Sequence, residues 1–388
     1  MDPAEPETPA TVEDSAQAAT PQPVVDLYRN RDIVSSDSDE SYRGLRWVFI
    51  GSNGLRTGWS ATIFIALIFF FMVLLGTITA AIGYHAQDGD SVILAPKSAL
   101  IIEITYLLSL LGAGLLTALI EGRRIPDYNL AGPRRATHFA SGVVAGLATL
   151  SVLVAAMAWG GWVHFGPVAL TGSRIYFYAA FWAVVFLLTG LFEEGVFRCY
   201  LLAILTRGIN FWWALAVVGV ICLAGLLATS GLGVRGVYFA ALAGLVPCLC
   251  LHIKKVPSAS FWYASWVTST FFGFIHTGNG GENWIGIFAA ALIGFIFCVS
   301  VRLTGSAWWA IGCHAAWDWA ETYFYGTADS GMVAQGHLLT SNPMGNTLWS
   351  GGLDGPEGSL LVIAVILLLL VALVAMYGRQ KQALVSGI

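Results

Sequence analysis

Three short segments place polar side chains where apolar ones are expected. Leu191-Phe192-Glu193-Glu194-Gly195-Val196-Phe197-Arg198 sets two carboxylates and a guanidinium inside an apolar run. Glu194 and Arg198 are four apart, so on a helix they share a face and can pair. Glu193 is turned about 100° away at 3.6 residues per turn, which leaves one carboxylate free as a general base. Phe271-Phe272-Gly273-Phe274-Ile275-His276 closes a second apolar run on a histidine. Cys313-His314-Ala315-Ala316-Trp317-Asp318 puts His314 and Asp318 on one helix face, continued by Glu321. Each segment alone also fits a plain structural role: an ion cluster between helices, an interfacial histidine, or a satisfied polar pair. Taken together they offer a base for water and donors for a developing negative charge. Glu193, His276, His314 and Asp318 are equally legitimate zinc ligands, although H-E-x-x-H is absent.

The elements that must carry these residues are membrane helices. Of 388 residues 57% are hydrophobic and only 11% charged, against about 25% charged in a soluble domain. That excludes an ordinary soluble enzyme, a nucleic-acid binder and a disordered scaffold. Apolar runs near 59–82, 99–120, 138–159, 175–206, 211–229, 236–253, 259–275, 284–302, 307–325 and 359–377 predict an all-α polytopic transmembrane bundle of about ten spans. Ionisable residues inside such spans are costly and by default functional.

Residues 1–42, rich in Pro, Ala, Glu and Thr, read as a disordered cytoplasmic tail and not as a signal peptide. The division expected beyond it is an N-terminal transmembrane pair (43–137), a catalytic membrane region (138–325), an outer loop (326–358) and a C-terminal helix and tail (359–388). Sixteen of the nineteen Lys and Arg fall on one side of this topology, leaving only Lys97, Arg174 and Arg235 on the other. The positive-inside rule then places both termini in the cytoplasm. The chain ends Val-Ser-Gly-Ile, without a lipidation cysteine. The six cysteines read as small hydrophobes, with no C-x-x-C spacing. His85, His138, His164, His252 and His337 read as interfacial or solvated. Trp59, Trp162, Trp212 and Trp284 read as belt or packing residues. The Gly-rich loop 326–358 reads as a linker in preference to a lid.

In chain order the three segments read E-E-x-x-x-R, F-x-x-x-H and H-x-x-x-D. This resembles the CPBP family (CAAX protease and bacteriocin-processing, or Abi) of intramembrane proteases, whose pattern is EExxxR, FxxxH and HxxxN. Leu303-Thr304-Gly305-Ser306-Ala307-Trp308 also looks like the turn that precedes the family's second histidine. The resemblance covers roughly 140–325. It implies a CAAX prenyl endopeptidase-like hydrolase in which Glu193 and His276 activate water. His314 and Asp318 would line the oxyanion site, with Glu194, Arg198 and Phe272 supporting. No cofactor is implied, and zinc stays the alternative. The implied partners are the lipid bilayer and a membrane-associated peptide or protein, not nucleic acid. A non-catalytic immunity, scaffold or transporter-like protein is the reading from another class; no internal repeat of the carrier type is visible.

Two departures from the pattern stand out. Asp318 holds the Asn position; ionised, it cannot donate to an oxyanion, so it must be protonated or must orient His314. Three runs, not one, separate Glu193 from His276, and the two extra ones could wall a cavity or bind a partner. Convergence is also in question, because Glu193 is roughly 21 Å along a helix from Arg207, and His314 about 11 Å from a helix start at Ala307.

Overall fold

The computed structural model describes residues 46–51, 54–83, 93–229 and 231–386. The expected tail 1–42 and His85 lie outside the described residues. Ten long helices run through them: α1 (Thr57–Ala81), α2 (Pro96–Glu121), α3 (Arg135–Trp159), α4 (Ser173–Glu194, continued to Thr206), α5 (Phe211–Ala228), α6 (Leu232–Ile253), α7 (Ala259–His276), α8 (Trp284–Thr304), α9 (Trp308–Asp318, continued to Tyr325) and α10 (Leu360–Ser386). Eight are long and apolar enough to cross a membrane by length and composition. The protein is an integral membrane helix bundle.

The two helices that fall short of that measure, α7 and α9, are the ones that carry His276 and His314. Ser, Thr, His and Asp dilute their apolar content. Lipid would reject these side chains, so the bundle encloses them. Eleven residues of α7 are buried, against three of the longer α1. The outer helices show the inverse: Phe69, Phe70 and Val73 of α1 are exposed, as a lipid-facing surface requires.

Glycines set how closely α9 is held. A Cβ at Gly142 or Gly146 of α3 would run into the backbone carbonyls of Trp309 and Cys313, and one at Gly312 into that of Phe139. From α4, Gly190 faces Ile311 and Ala315 in the same manner. Gly142 and Gly146 form a small-x-x-x-small stripe that lets two backbones touch, which is how membrane helices gain packing without a hydrophobic drive between them.

The segment 326–358 is not a plain linker. Short strands tie it down: β1 (Ile93–Leu94) runs parallel to β3 (Val333–Ala334), and β2 (Val163–Val168) antiparallel to β4 (Leu339–Pro343). Asp354 is wholly buried, and its Oδ2 accepts the backbone N–H of Asn283 at 3.1 Å, above the start of α8. The Asn283 side chain accepts from Ile285 and Gly286 and donates to the carbonyls of Gly351 and Gly358. One Asn thus caps α8 and latches the loop to it.

His138 is buried, edge-on to Tyr377 at 5.5 Å, and not solvated as its position suggested. Its helix lies along α10, which brings Tyr377 over it; Ser141 and Tyr377 share a hydrogen bond of 2.7 Å. The pair α5–α6 does not wall a central cavity. It stands against the outer side of α7, where Gly244 leaves room for Trp266.

Two outcomes follow. Gly146→Ala drives a methyl into the Cys313 carbonyl and costs about 1–3 kcal/mol, read as a fall in thermal unfolding temperature; Gly114→Ala, with open space around it, leaves that temperature unchanged. Burial and the charge of Glu282 push the Asp354 carboxyl up to about 8. A carboxyl raised on folding stabilises fully below its unfolded value and loses that contribution as pH rises through the raised one. Asp354→Asn keeps an acceptor and cannot ionise. It is expected to raise thermal stability at pH 9 and leave it unchanged at pH 4, so that the wild-type decline across that range flattens.

Candidate active site

At the centre is a carboxylate with two partners. Glu194 is completely buried, and its Oε1 receives Nη1 of Arg198 at 3.1 Å and Nδ1 of His314 at 2.8 Å. Arg198 is buried as well, with Phe272 at 4.3 Å and Phe297 at 5.3 Å from its guanidinium carbon. Aromatic faces suit a guanidinium that has lost its water. Its Nε donates to the carbonyl of Gly294 at 3.4 Å, and the missing Cβ at Gly294 makes the space.

Both carboxylate-bearing helices change pitch just past the site. Gly195–Leu201 and Trp319–Tyr325 are π-helical, directly after Glu194 and after Asp318. Such segments free carbonyls from the regular ladder and recur at functional sites. The Arg198 carbonyl, within the first of them, accepts from the Asn129 side chain at 2.7 Å. The Asn129 carbonyl in turn accepts the N–H of Ala307 at 2.8 Å, and Leu130 accepts from the Trp308 indole. The loop between α2 and α3 therefore reaches inward and holds the buried start of α9. Ser306, Ala307 and Trp309 are all completely buried. The start of α9 is thus buried within the bundle, and six residues bring His314 level with Glu193.

His314 has its two nitrogens on different partners. Nδ1 is fixed by Glu194, while Nε2 faces Oε2 of Glu193 at 3.7 Å and Oδ2 of Asp318 at 3.5 Å. The carboxylate that orients His314 is thus Glu194; Asp318 stands with Glu193 at the opposite nitrogen, beyond hydrogen-bond length. Glu193, Phe272, His276, His314 and Asp318 line one cavity of about 380 Å³. Glu194 and Arg198 lie behind its wall. His276 Nδ1 is 2.7 Å from the Phe272 carbonyl. A carbonyl only accepts, so Nδ1 carries a proton, and the tautomer this fixes has its lone pair on Nε2.

Sequence reading passed over three carboxylates in the same cavity: Glu103 of α2, Asp329 and Glu357. Glu103 had a usable signal, as the one charged residue within the run 99–120. Asp329 and Glu357 sit in a loop whose folding back could not be read locally. Burial raises both their carboxyls, with the charge of Glu193 adding at Asp329 and that of Asp329 at Glu357. Among the described residues, no three of His, Cys, Asp or Glu form a group set to hold a metal ion.

Residues 175–258 and 250–320 match the family described as Type II CAAX prenyl endopeptidase Rce1-like. The first piece contains Glu193, Glu194 and Arg198, and the second Phe272, His276, His314 and Asp318. This region is similar to the CAAX protease family. Neither a curated protein nor a solved structure gives a significant match. Helices α5 and α6 fall within the matched stretch, while α1, α2, α3 and α10 lie outside it.

Arg198→Met leaves Glu194 buried without its cation and is expected to cost about 3–5 kcal/mol of stability. Arg198→Lys restores little, since an ammonium lacks the fork and the flat face. Glu194→Gln combined with Arg198→Met recovers part of the loss. Thermal unfolding of the purified variants in detergent reads all three.

Proposed function

We propose that the protein is a membrane-embedded endopeptidase that hydrolyses a peptide bond with water activated by Glu193 and His276. The observation that carries this reading is the convergence of Glu193, His276, His314 and Asp318, from three separated segments, on one cavity. Glu193 takes the proton of the attacking water, with the free Nε2 of His276 as hydrogen-bond acceptor beside it. The carbonyl oxygen becomes negative as water adds. His314, donating from Nδ1 to Glu194, can as an imidazolium also donate from Nε2 to that oxygen. The tetrahedral intermediate collapses when the proton held by Glu193 passes to the leaving amine, giving one carboxylic acid and one amine. Glu194 and Arg198 act as positioning residues that hold the His314 ring.

Similarity to the CAAX prenyl endopeptidase family supports a membrane-anchored peptide or protein of the prenylated kind as substrate. The apolar walls given by Ile102, Val185, Phe186, Ile293 and Phe297 suit a chain that enters from lipid. In orientation, the ends that carry Arg123, Arg124, Arg207, Lys254, Lys255 and Arg302 are assigned to the cytoplasm by the positive-inside rule. The loops that line the cavity, at 279, 329–332 and 357, lie at the opposite helix ends.

Reconstituted with a tagged membrane-anchored peptide, the full chain is expected to cut it. Glu193→Gln and His276→Ala should each lower kcat by about a hundredfold or more while unfolding at an unchanged temperature. Asp318→Asn, which keeps an acceptor and gains a donor, is expected to stay within about tenfold of the wild type. Cleavage undiminished in folded Glu193→Gln would sink the proteolytic reading.

A further inference from the structure

The oxyanion side of the reaction is short of a donor. His314 Nε2 has Glu193 Oε2 at 3.7 Å and Asp318 Oδ2 at 3.5 Å. Two carboxylates therefore compete for the one proton that His314 can aim at the substrate oxygen. Asp318, when ionised, has no proton to give. An uncharged hydroxyl on another wall of the cavity would supply what is missing.

Helix α2 brings one to the right depth. It runs parallel to α4 in a constant register. Glu121 meets Arg207 at an offset of 86 residues. Tyr106 stacks on Phe192 at the same offset, with ring centroids 5.0 Å apart. Between these two rungs Leu110 lies against Gly195, where a Cβ would run into its side chain. This ladder sets Tyr106 level with Phe192 and so with Glu193, the next residue. Ala99, Ile102, Glu103 and Tyr106 recur at helical spacing, and all four line the cavity that Glu193, His276 and His314 share.

The ring of Tyr106 has a packing task on Phe192, whereas its hydroxyl has none. Among the described residues no hydrogen-bond partner meets that oxygen, in a side chain that is half-buried. A tyrosine hydroxyl taken out of bulk water ordinarily finds a partner. Hydrocarbon offers none, so at this depth the oxygen is tolerable where it faces a polar volume, and the cavity is such a volume. A phenol donates a hydrogen bond without bringing a charge into it.

We propose that Tyr106 is a further catalytic residue, whose hydroxyl donates to the carbonyl oxygen of the scissile bond as that oxygen becomes negative. Its proton stays on the phenol throughout; the proton of the attacking water still passes to Glu193 and on to the leaving amine. The inference rests on the proteolytic reading for the bond that is cut. It adds a donor from a helix that lies outside the stretch matching the family.

The test uses the full chain in liposomes and an acylated, quenched fluorescent peptide. Tyr106→Phe keeps the ring and its stacking and removes the oxygen alone. It is expected to lower kcat by about a hundredfold, with KM and the unfolding temperature unchanged. In the Asp318→Asn background the new amide can donate in place of the phenol, so Tyr106→Phe should there cost less than about tenfold. A peptide trifluoromethyl ketone, whose hydrate imitates the tetrahedral intermediate, should bind Tyr106→Phe more weakly by about the factor lost in kcat. An undiminished kcat in folded Tyr106→Phe, a loss carried by KM alone, or unchanged binding of the ketone overturns the proposal. Cleavage by the wild type that Tyr106→Phe equals removes the donor and leaves proteolysis standing. A wild type that binds the peptide and cuts nothing overturns both.

Discussion

One buried oxygen organises the centre of this protein. Glu194 Oε1 takes a guanidinium from its own helix and an imidazole from α9. In a low-dielectric interior neither cation nor carboxylate is tolerable alone, so the three groups must be assembled together or not at all. That requirement fixes the rotation of α4 about its axis. With Glu194 and Arg198 turned inward to each other, Glu193, one residue back, is turned toward the cavity. It also fixes the depth of α9, because His314 must come level with Glu194. The cage of Phe272 and Phe297 around Arg198 carries the constraint to α7 and α8. Phe272 then hands it to His276 through its own carbonyl.

The surrounding devices serve that assembly. Gly142, Gly146 and Gly312 let α3 and α9 approach until backbones touch. Asn129 joins the loosened turn at Arg198 to the first turn of α9. Side chains that act on one another across four helices need their backbones placed within a fraction of an ångström, and close-packed glycine seams give less play than long side chains would. Helices α5 and α6 add mass behind α7 without touching the cavity.

Much of this was legible in the residues. The shortage of charge and the spacing of apolar runs give the ten helices to within a few residues at most ends, since hydropathy reports directly on the lipid solvent. The polar residues misplaced in those runs lead to Glu193, His276, His314 and Asp318. What the letters did not carry is anything that depends on depth or on chain reversal. The start of α9 inside the protein rests on the 122–134 loop turning inward, a tertiary choice with no local signature. The pairing of Asp354 with Asn283 spans 71 residues, so the Gly-rich composition of 326–358 pointed to a linker where a fastened loop stands. The assignment of Asp318 to orient His314 followed from their four-residue spacing, yet Glu194, 120 residues away, is closer to the ring.

The fastening of that loop bears on how the protein is made. Ile93–Leu94 meets Val333–Ala334 across most of the chain, and Phe165 meets Ser341. A ribosome delivering helices to the membrane one after another has laid down nine of them before these strands exist to pair. Contacts between such distant segments form late, since the intervening chain must first be in place. The cavity therefore stays unroofed while the first nine helices are laid down, with α4, α7 and α9 already in the bilayer. Its enclosure is a late event of biogenesis, which keeps the lumen incomplete while the newly made helices are themselves loose polypeptide in the same membrane.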